Sequence, residues 1–212
     1  MTESPTRVRP VVAAFDVDGT LTTRDCVTPF LRRAAGTRLV TTLLAHPLAL
    51  ATAAIRRDRD HLKELACRAL RGIDATALDD LGRAFAEEIA AKWLRDDTTA
   101  RLRRHRELGH TVILASASFE AYLGPLGEAL GVDGIVCTRL ERDADGRLTG
   151  RLDGENCRGP EKARRVREWL AGAELTGAAL WAYGDSPGDR PLLETADHPV
   201  WVGPTRLQPD PG

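Results

Sequence analysis

The sequence predicts an α/β fold: a Rossmann-like, doubly wound parallel sheet with an inserted α-helical cap subdomain. Three observations predict it. Short apolar runs alternate with helical patterns, acidic and hydroxyl residues stand just past the ends of those runs, and one long stretch breaks the alternation with helical pattern alone. Strands alternating with helices argue for a parallel sheet covered on both faces. Ligands in such sheets bind beyond the C-terminal ends of the strands.

Residues 11–15, bounded by Pro10 and Gly19, read as a buried strand that ends at Asp16. Residues 24–95 follow, rich in Ala and Leu and broken at Pro29, Gly36, Pro47 and Gly72. They part the first strand from the second by about 95 residues, where a crossover needs about a dozen. The predicted organisation is therefore an α/β core over 1–23 and 96–212 and a helical insertion over 24–95. Next come a helix over 98–108, a strand over 111–115 ending in Ser116-Ala117-Ser118, a helix over 119–130 and a strand over 134–138. Residues 140–152 alternate on both sides of Asp145-Gly146, a hairpin signal. A helix over 161–170, a strand over 178–183 ending at Gly184-Asp185, and a short strand over 200–202 complete the set. From Thr205 the chain is Pro-rich and expected to be loose.

Within the insertion, residues 39–55 carry no charged side chain and are flanked by Arg38 and Arg56-Arg57. His46-Pro47 breaks the run, which falls short of the about 20 apolar residues a spanning helix needs. It reads as two helical pieces packed inside the insertion, without stable membrane insertion. Membrane-surface contact or a lipid-facing pocket is the other reading.

Of the 212 residues 42% are apolar, enough for a sizeable core, and 30 basic against 31 acidic residues leave a net charge of −1. That balance gives no global pull toward nucleic acid, and the arginines over 101–106 read as a solvated helix face. Cys26, Cys67, Cys137 and Cys157 form no Cys-x-x-Cys pair and read as reduced. The five histidines show no metal-ligand spacing. Residues 1–10 lack the apolar stretch of a signal peptide, so the expected compartment is the cytoplasm. The oligomeric state is not legible.

The chemistry concentrates in Phe15-Asp16-Val17-Asp18-Gly19-Thr20-Leu21-Thr22. Two carboxylates just past a buried strand raise each other's pKa unless a cation neutralises them. Mg²⁺, a hard ion taking oxygen ligands, suits them. Gly19 permits a sharp turn, and Thr20 offers a hydroxyl to an oxyanion. This segment resembles the first motif of the haloacid dehalogenase superfamily, Asp-x-Asp-Gly-Thr. Ser116 at the end of the next strand, Lys162 in Gly-Pro-Glu-Lys, and Asp185 with Asp189 in Gly-Asp-Ser-Pro-Gly-Asp match the other three motifs in order. The helical insertion and the hairpin resemble the phosphoserine phosphatase-like subfamily IB, with a helical C1 cap.

The resemblance implies a Mg²⁺-dependent phosphomonoesterase acting on a small phosphorylated metabolite: a phosphoserine-like, polyol, amino-alcohol or lipid head-group phosphate. Asp16 would be the nucleophile that forms an aspartyl-phosphate, and Asp18 the acid and then the base. Asp16, Asp185 and the backbone carbonyl of Asp18 would hold the metal, with Asp189 acting behind them. Thr20, Ser116, the Ala117 N–H and Lys162 would bind the phosphoryl group. Asp25, nine residues after Asp16, is either a substrate contact or a helix cap. Arg56, Arg57, Arg59, Lys63 and Arg71 are either cations for an anionic substrate or solvated helix residues. Two other readings remain: a phosphotransferase or mutase on the same fold, and a non-catalytic phospho-ligand binder.

Overall fold

The computed structural model describes residues 9–56 and 58–207. Arg57, residues 1–8 and the end of the Pro-rich tail from 208 lie outside them.

Six strands form one sheet: β1 Val11–Phe15, β2 Thr111–Phe119, β3 Gly134–Arg142, β4 Leu148–Asp153, β5 Ala179–Gly184 and β6 His198–Trp201. Their order is β4-β3-β2-β1-β5-β6. All neighbours are parallel except the β3–β4 pair. β1 lies between β2 and β5, so the chain order reverses at its end, the crevice where ligands bind in such sheets. Ala13, Phe15, Val112 and Leu114 join one apolar cluster, while Val12, Ala14, Ile113 and Ala115 join another. Side chains alternate across a strand. With both faces covered, the strands read as unbroken apolar runs.

The helices are α1 Val27–Ala35, α2 Thr37–Ala45, α3 Pro47–Arg56, α4 Arg59–Cys67, α5 Ala75–Lys92, α6 Asp96–Glu107, α7 Glu120–Leu130, α8 Pro160–Gly172 and the short α9 Arg190–Leu193. Buried residues of α1, α5, α6 and α7 share the first cluster, and those of α8 and α9 share the second. α5 and α7 approach closely at Gly82, where a Cβ would lie 2.0 Å from the Ala121 carbonyl oxygen. The chain leaves and re-enters the sheet side by side. The Thr23 N–H donates to the Trp93 carbonyl (2.8 Å), and the Arg95 N–H donates to that of Leu21 (2.9 Å).

Two strands run longer than their sequence patterns. In the β2–β3 pair, Ala115 faces Val136 and Phe119 faces Thr138, so β2 bulges between them and carries Ser116, Ala117 and Ser118 out of the ladder. β3 continues because its end pairs with β4, Leu140 against Leu152, which is the predicted hairpin.

The apolar stretch forms two helices, α2 and α3, bent by 88°. Their packing departs from the expectation of an interior position. Only Leu39 and Ala53 are buried, whereas Leu44 is 69% exposed and Leu48 and Ile55 are each 83% exposed. Among the described residues, no single helix is long and apolar enough to cross a membrane.

Candidate active site

Asp16 follows the last residue of β1, and its N–H donates to the Tyr183 carbonyl of β5 (2.9 Å). Gly19, at φ +85°, then turns the chain so that the N–H groups of Thr20, Leu21 and Thr22 all donate to the Val17 carbonyl. Its missing Cβ also matters, because one there would lie 2.2 Å from Asp185 Oδ2.

Lys162 is fully buried in the first turn of α8. Its Nζ donates to Asp16 Oδ1 (2.7 Å) and Asp189 Oδ1 (2.5 Å). A cation in a helix's first turn opposes the helix dipole; the two carboxylates compensate it. Burial disfavours the ammonium, yet Asp16 and Asp189 outweigh it and raise the lysine's pKa. For Asp16, burial pushes the carboxyl up, Lys162 pulls it down, and the net position is about 7. Asp189 Oδ2 accepts from the Ser186 N–H (3.1 Å) and hydroxyl (2.7 Å), so both of its oxygens are engaged.

Asp18 is held from two sides. Its Oδ1 accepts from the Cys26 N–H and its Oδ2 from the Ser118 hydroxyl, each at 2.8 Å. Burial raises its pKa against those bonds. Ser116 Oγ accepts from the Ser118 N–H at 3.1 Å. The β2 bulge thus places Ser118 against Asp18.

Carboxylate oxygens of Asp16, Asp185 and Asp189 lie within 4.8 Å of one another. Three hard oxygen donors at this spacing fit Mg²⁺. Asp185 is raised by burial and by Asp189, the direction a nearby cation would reverse.

A family model of the haloacid dehalogenase-like hydrolases matches residues 13–194. The chain belongs to that family. Protein CicA of Caulobacter vibrioides is 39% identical over 189 residues, covering 89% of this chain and 84% of that one. A phosphoserine phosphatase of Streptomyces coelicolor is 30% identical over 87% of this chain and 42% of its own length. A phosphoserine phosphatase in apo form superposes with a TM-score of 0.61 and 18% identity over 89% of this chain and 84% of that one, a likeness of fold. The chain is therefore a hydrolase, with phosphatases among its relatives.

In this haloacid dehalogenase-like hydrolase a cavity of about 630 Å³ opens over the acids. Asp16, Asp18, Ser116, Ala117, Lys162, Asp185 and Asp189 line it, and so do Asp25, Arg59 and Lys63 of the helical insertion. Three expected residues, Thr20, Arg56 and Arg71, are not among its lining, and Arg71 is exposed. Thr20 is fully buried with its hydroxyl 3.4 Å from Asp185 Oδ1, so it faces a carboxylate instead of the cavity. Arg56 is exposed on α3. Asp25 takes the helix-cap role, its carboxylate accepting from the N–H groups of Val27 (3.2 Å) and Thr28 (3.0 Å) at the start of α1, and it also lines the cavity.

Lys63 is buried, contrary to the solvated reading. Its Nζ donates to the Ala117 carbonyl and to Asn156 Oδ1, and burial lowers its pKa to about 8. Sequence reasoning missed Asn156, which also accepts from Thr138 Oγ1 (2.8 Å) and donates to Asp60 (2.6 Å). A single loop Asn has no spacing signature. Ser118 was visible as the second hydroxyl of Ser-Ala-Ser, but its bond to Asp18 needs the bulge. Arg158 lines the cavity beside Gly188, whose missing Cβ would lie 2.8 Å from the arginine Nε.

Proposed function

We propose that this hydrolase is a Mg²⁺-dependent phosphomonoesterase working through an aspartyl-phosphate on Asp16. The observation that carries this reading is the buried Lys162 shared by Asp16 and Asp189, with Asp18 and Ser116 in the same cavity. One Asp16 oxygen is bound by Lys162, and the other is free to attack phosphorus as the bond to the leaving alcohol breaks. Asp18, whose carboxyl burial pushes upward, gives a proton to the leaving oxygen. Asp18 then takes a proton from the water that attacks the same phosphorus, which releases phosphate and restores Asp16. Lys162 and the Ser116 hydroxyl neutralise and orient the phosphoryl oxygens. Asp16, Asp185 and the Asp18 carbonyl would hold Mg²⁺, which supplies charge neutralisation on the phosphoryl group. Asp189, occupied by Lys162 and Ser186, positions the lysine.

The reading assigns the helical stretch 24–95 as a cap, supported by the paired entry and exit strands and by Asp25, Arg59 and Lys63 along the cavity. Four buried free cysteines fit a reducing, cytoplasmic setting. The test is phosphate release from a panel of phosphorylated metabolites with Mg²⁺ and with EDTA, using Asp16→Asn as the blank. Release that needs both Mg²⁺ and Asp16 is expected. Release that survives in Asp16→Asn overturns the nucleophile, and no release from any ester overturns the phosphatase reading.

A further inference from the structure

The half of the cavity lined by α1, α2 and α4 carries the apolar side chains Val27, Leu31, Leu39, Leu43, Leu62 and Ala66. Three of the polar groups contributed there are engaged elsewhere, while Thr28 and Arg59 also line the cavity. Asp25 accepts the N–H groups of α1, Lys63 donates to Ala117 and Asn156, and the Arg24 guanidinium lies 4.2 Å over the Trp93 ring. A polar alcohol in this half would give up water and find few free partners, whereas an apolar one gains by burial.

The same helices turn apolar side chains outward. On α2, Leu39 and Leu43 face the cavity while Val40 and Leu44 are 58% and 69% exposed. Leu48 and Ile55 on α3 share a stripe at helical spacing and are each 83% exposed. Leu62 lines the cavity and is itself 39% exposed, so the apolar wall reaches the surface. From Cys26 to Arg56 there is no Asp or Glu; Arg32, Arg38 and Arg56 are exposed, Arg38 donates to the Arg71 carbonyl, and Arg33 pairs with Glu88 of α5. An apolar helical face bracketed by arginines and free of acids complements an anionic lipid surface.

We propose that the α2–α3 face sits on an anionic lipid surface and that the cavity takes from it a phosphate monoester whose alcohol portion is apolar. The substrate half of this inference rests on the phosphatase reading; the docking half does not. The phosphate would lie at Asp16 and Lys162, and the chain of the alcohol along Leu31, Leu39, Leu43 and Leu62. Docking is peripheral, since the bent α2–α3 pair offers an outer face and not a straight span.

The test uses the full chain. Flotation with vesicles of phosphatidylcholine, with and without one-third phosphatidylglycerol, reads docking. Binding should require the anionic lipid, weaken in high salt, and fall about tenfold per substituted leucine in Leu44→Asp/Leu48→Asp. Circular dichroism and the melting temperature establish that this variant is folded. With Mg²⁺, kcat/KM for dioctanoylglycerol 3-phosphate should exceed that for phosphoserine by at least about tenfold. Failure to float with anionic vesicles, or a preference for phosphoserine, overturns the proposal. So does a dimer in solution that covers Leu44 and Leu48 and leaves vesicles unbound. Turnover of p-nitrophenyl phosphate reads the phosphatase chemistry separately. If that ester is not hydrolysed, the phosphatase reading fails and flotation alone decides the docking face.

Discussion

Replacing Gly19 by alanine separates backbone strain from damage to the acidic cluster. Gly19 has φ +85°, where an L-residue costs about 1–2 kcal/mol. The new Cβ would also lie 2.2 Å from Asp185 Oδ2 and 2.8 Å from its Cγ. Asp185 is half-buried and its carboxylate can rotate, so the clash is relieved by moving that group about 1 Å, back to van der Waals distance, and not by opening the main chain. Gly146→Ala is the control. Its φ is +73° and nothing lies within 4 Å of the added Cβ, so it carries the strain without the clash. Both variants should therefore melt about 2–8 °C below the wild type. Only Gly19→Ala should lose Mg²⁺ affinity, read by calorimetric titration, and phosphate release, which a 1 Å displacement lowers about 10²-fold. Wild-type Mg²⁺ affinity and turnover in Gly19→Ala would refute the assignment of Asp185. Equal losses in Gly146→Ala would refute the separation of strain from clash.

Three further outcomes follow from the buried charges and the packing. Folding holds the Asp16 carboxyl near 7 against an ordinary 3.8, so the folded state binds the extra proton. The resulting stabilisation is complete below about 4 and is lost as pH rises through 7; metal-free wild type minus Asp16→Asn should fall by up to about 1 kcal/mol per pH unit from 5 to 7, and a flat difference in urea unfolding would refute it. Lys162→Met leaves Asp16 and Asp189 facing each other without their cation, a loss of about 3–5 kcal/mol at neutral pH that lessens in acid, and an unchanged denaturation midpoint would contradict the pairing. Gly82→Ala should destabilise by about 1–3 kcal/mol although alanine is the better helix former by about 1, because its Cβ meets the Ala121 main chain and no rotamer relieves it; a rise in the melting temperature would show that α5 and α7 can part.

Much of the site was legible in the sequence because its parts are local to strand ends. Asp16 and Asp18 follow β1, Ser116 follows the apolar part of β2, and Asp185 follows β5. A parallel sheet sets such ends along one edge. Lys162 was legible because a lysine in a helix's first turn runs against the dipole and needs anions nearby. The inward-facing pattern of β1 and β2 likewise required a sheet covered twice.

Other features were decided by contacts between distant segments. The β2 bulge depends on how β3 pairs with it, and it alone sets Ser118 on Asp18. Lys63 looks like any helix-surface lysine until α4 packs beside Ala117 and Asn156. Thr20 sits in a motif but is turned to Asp185 by the loop that Gly19 permits. α2 and α3 carry interior-like composition, yet among the described residues Val40, Leu44, Leu48 and Ile55 stay exposed. By itself the sequence determined the strands and their acidic ends, since each follows from neighbouring residues. Which side chains are buried, and which polar groups hydrogen-bond to one another, was decided by the tertiary structure, because burial depends on what the rest of the chain brings to cover them.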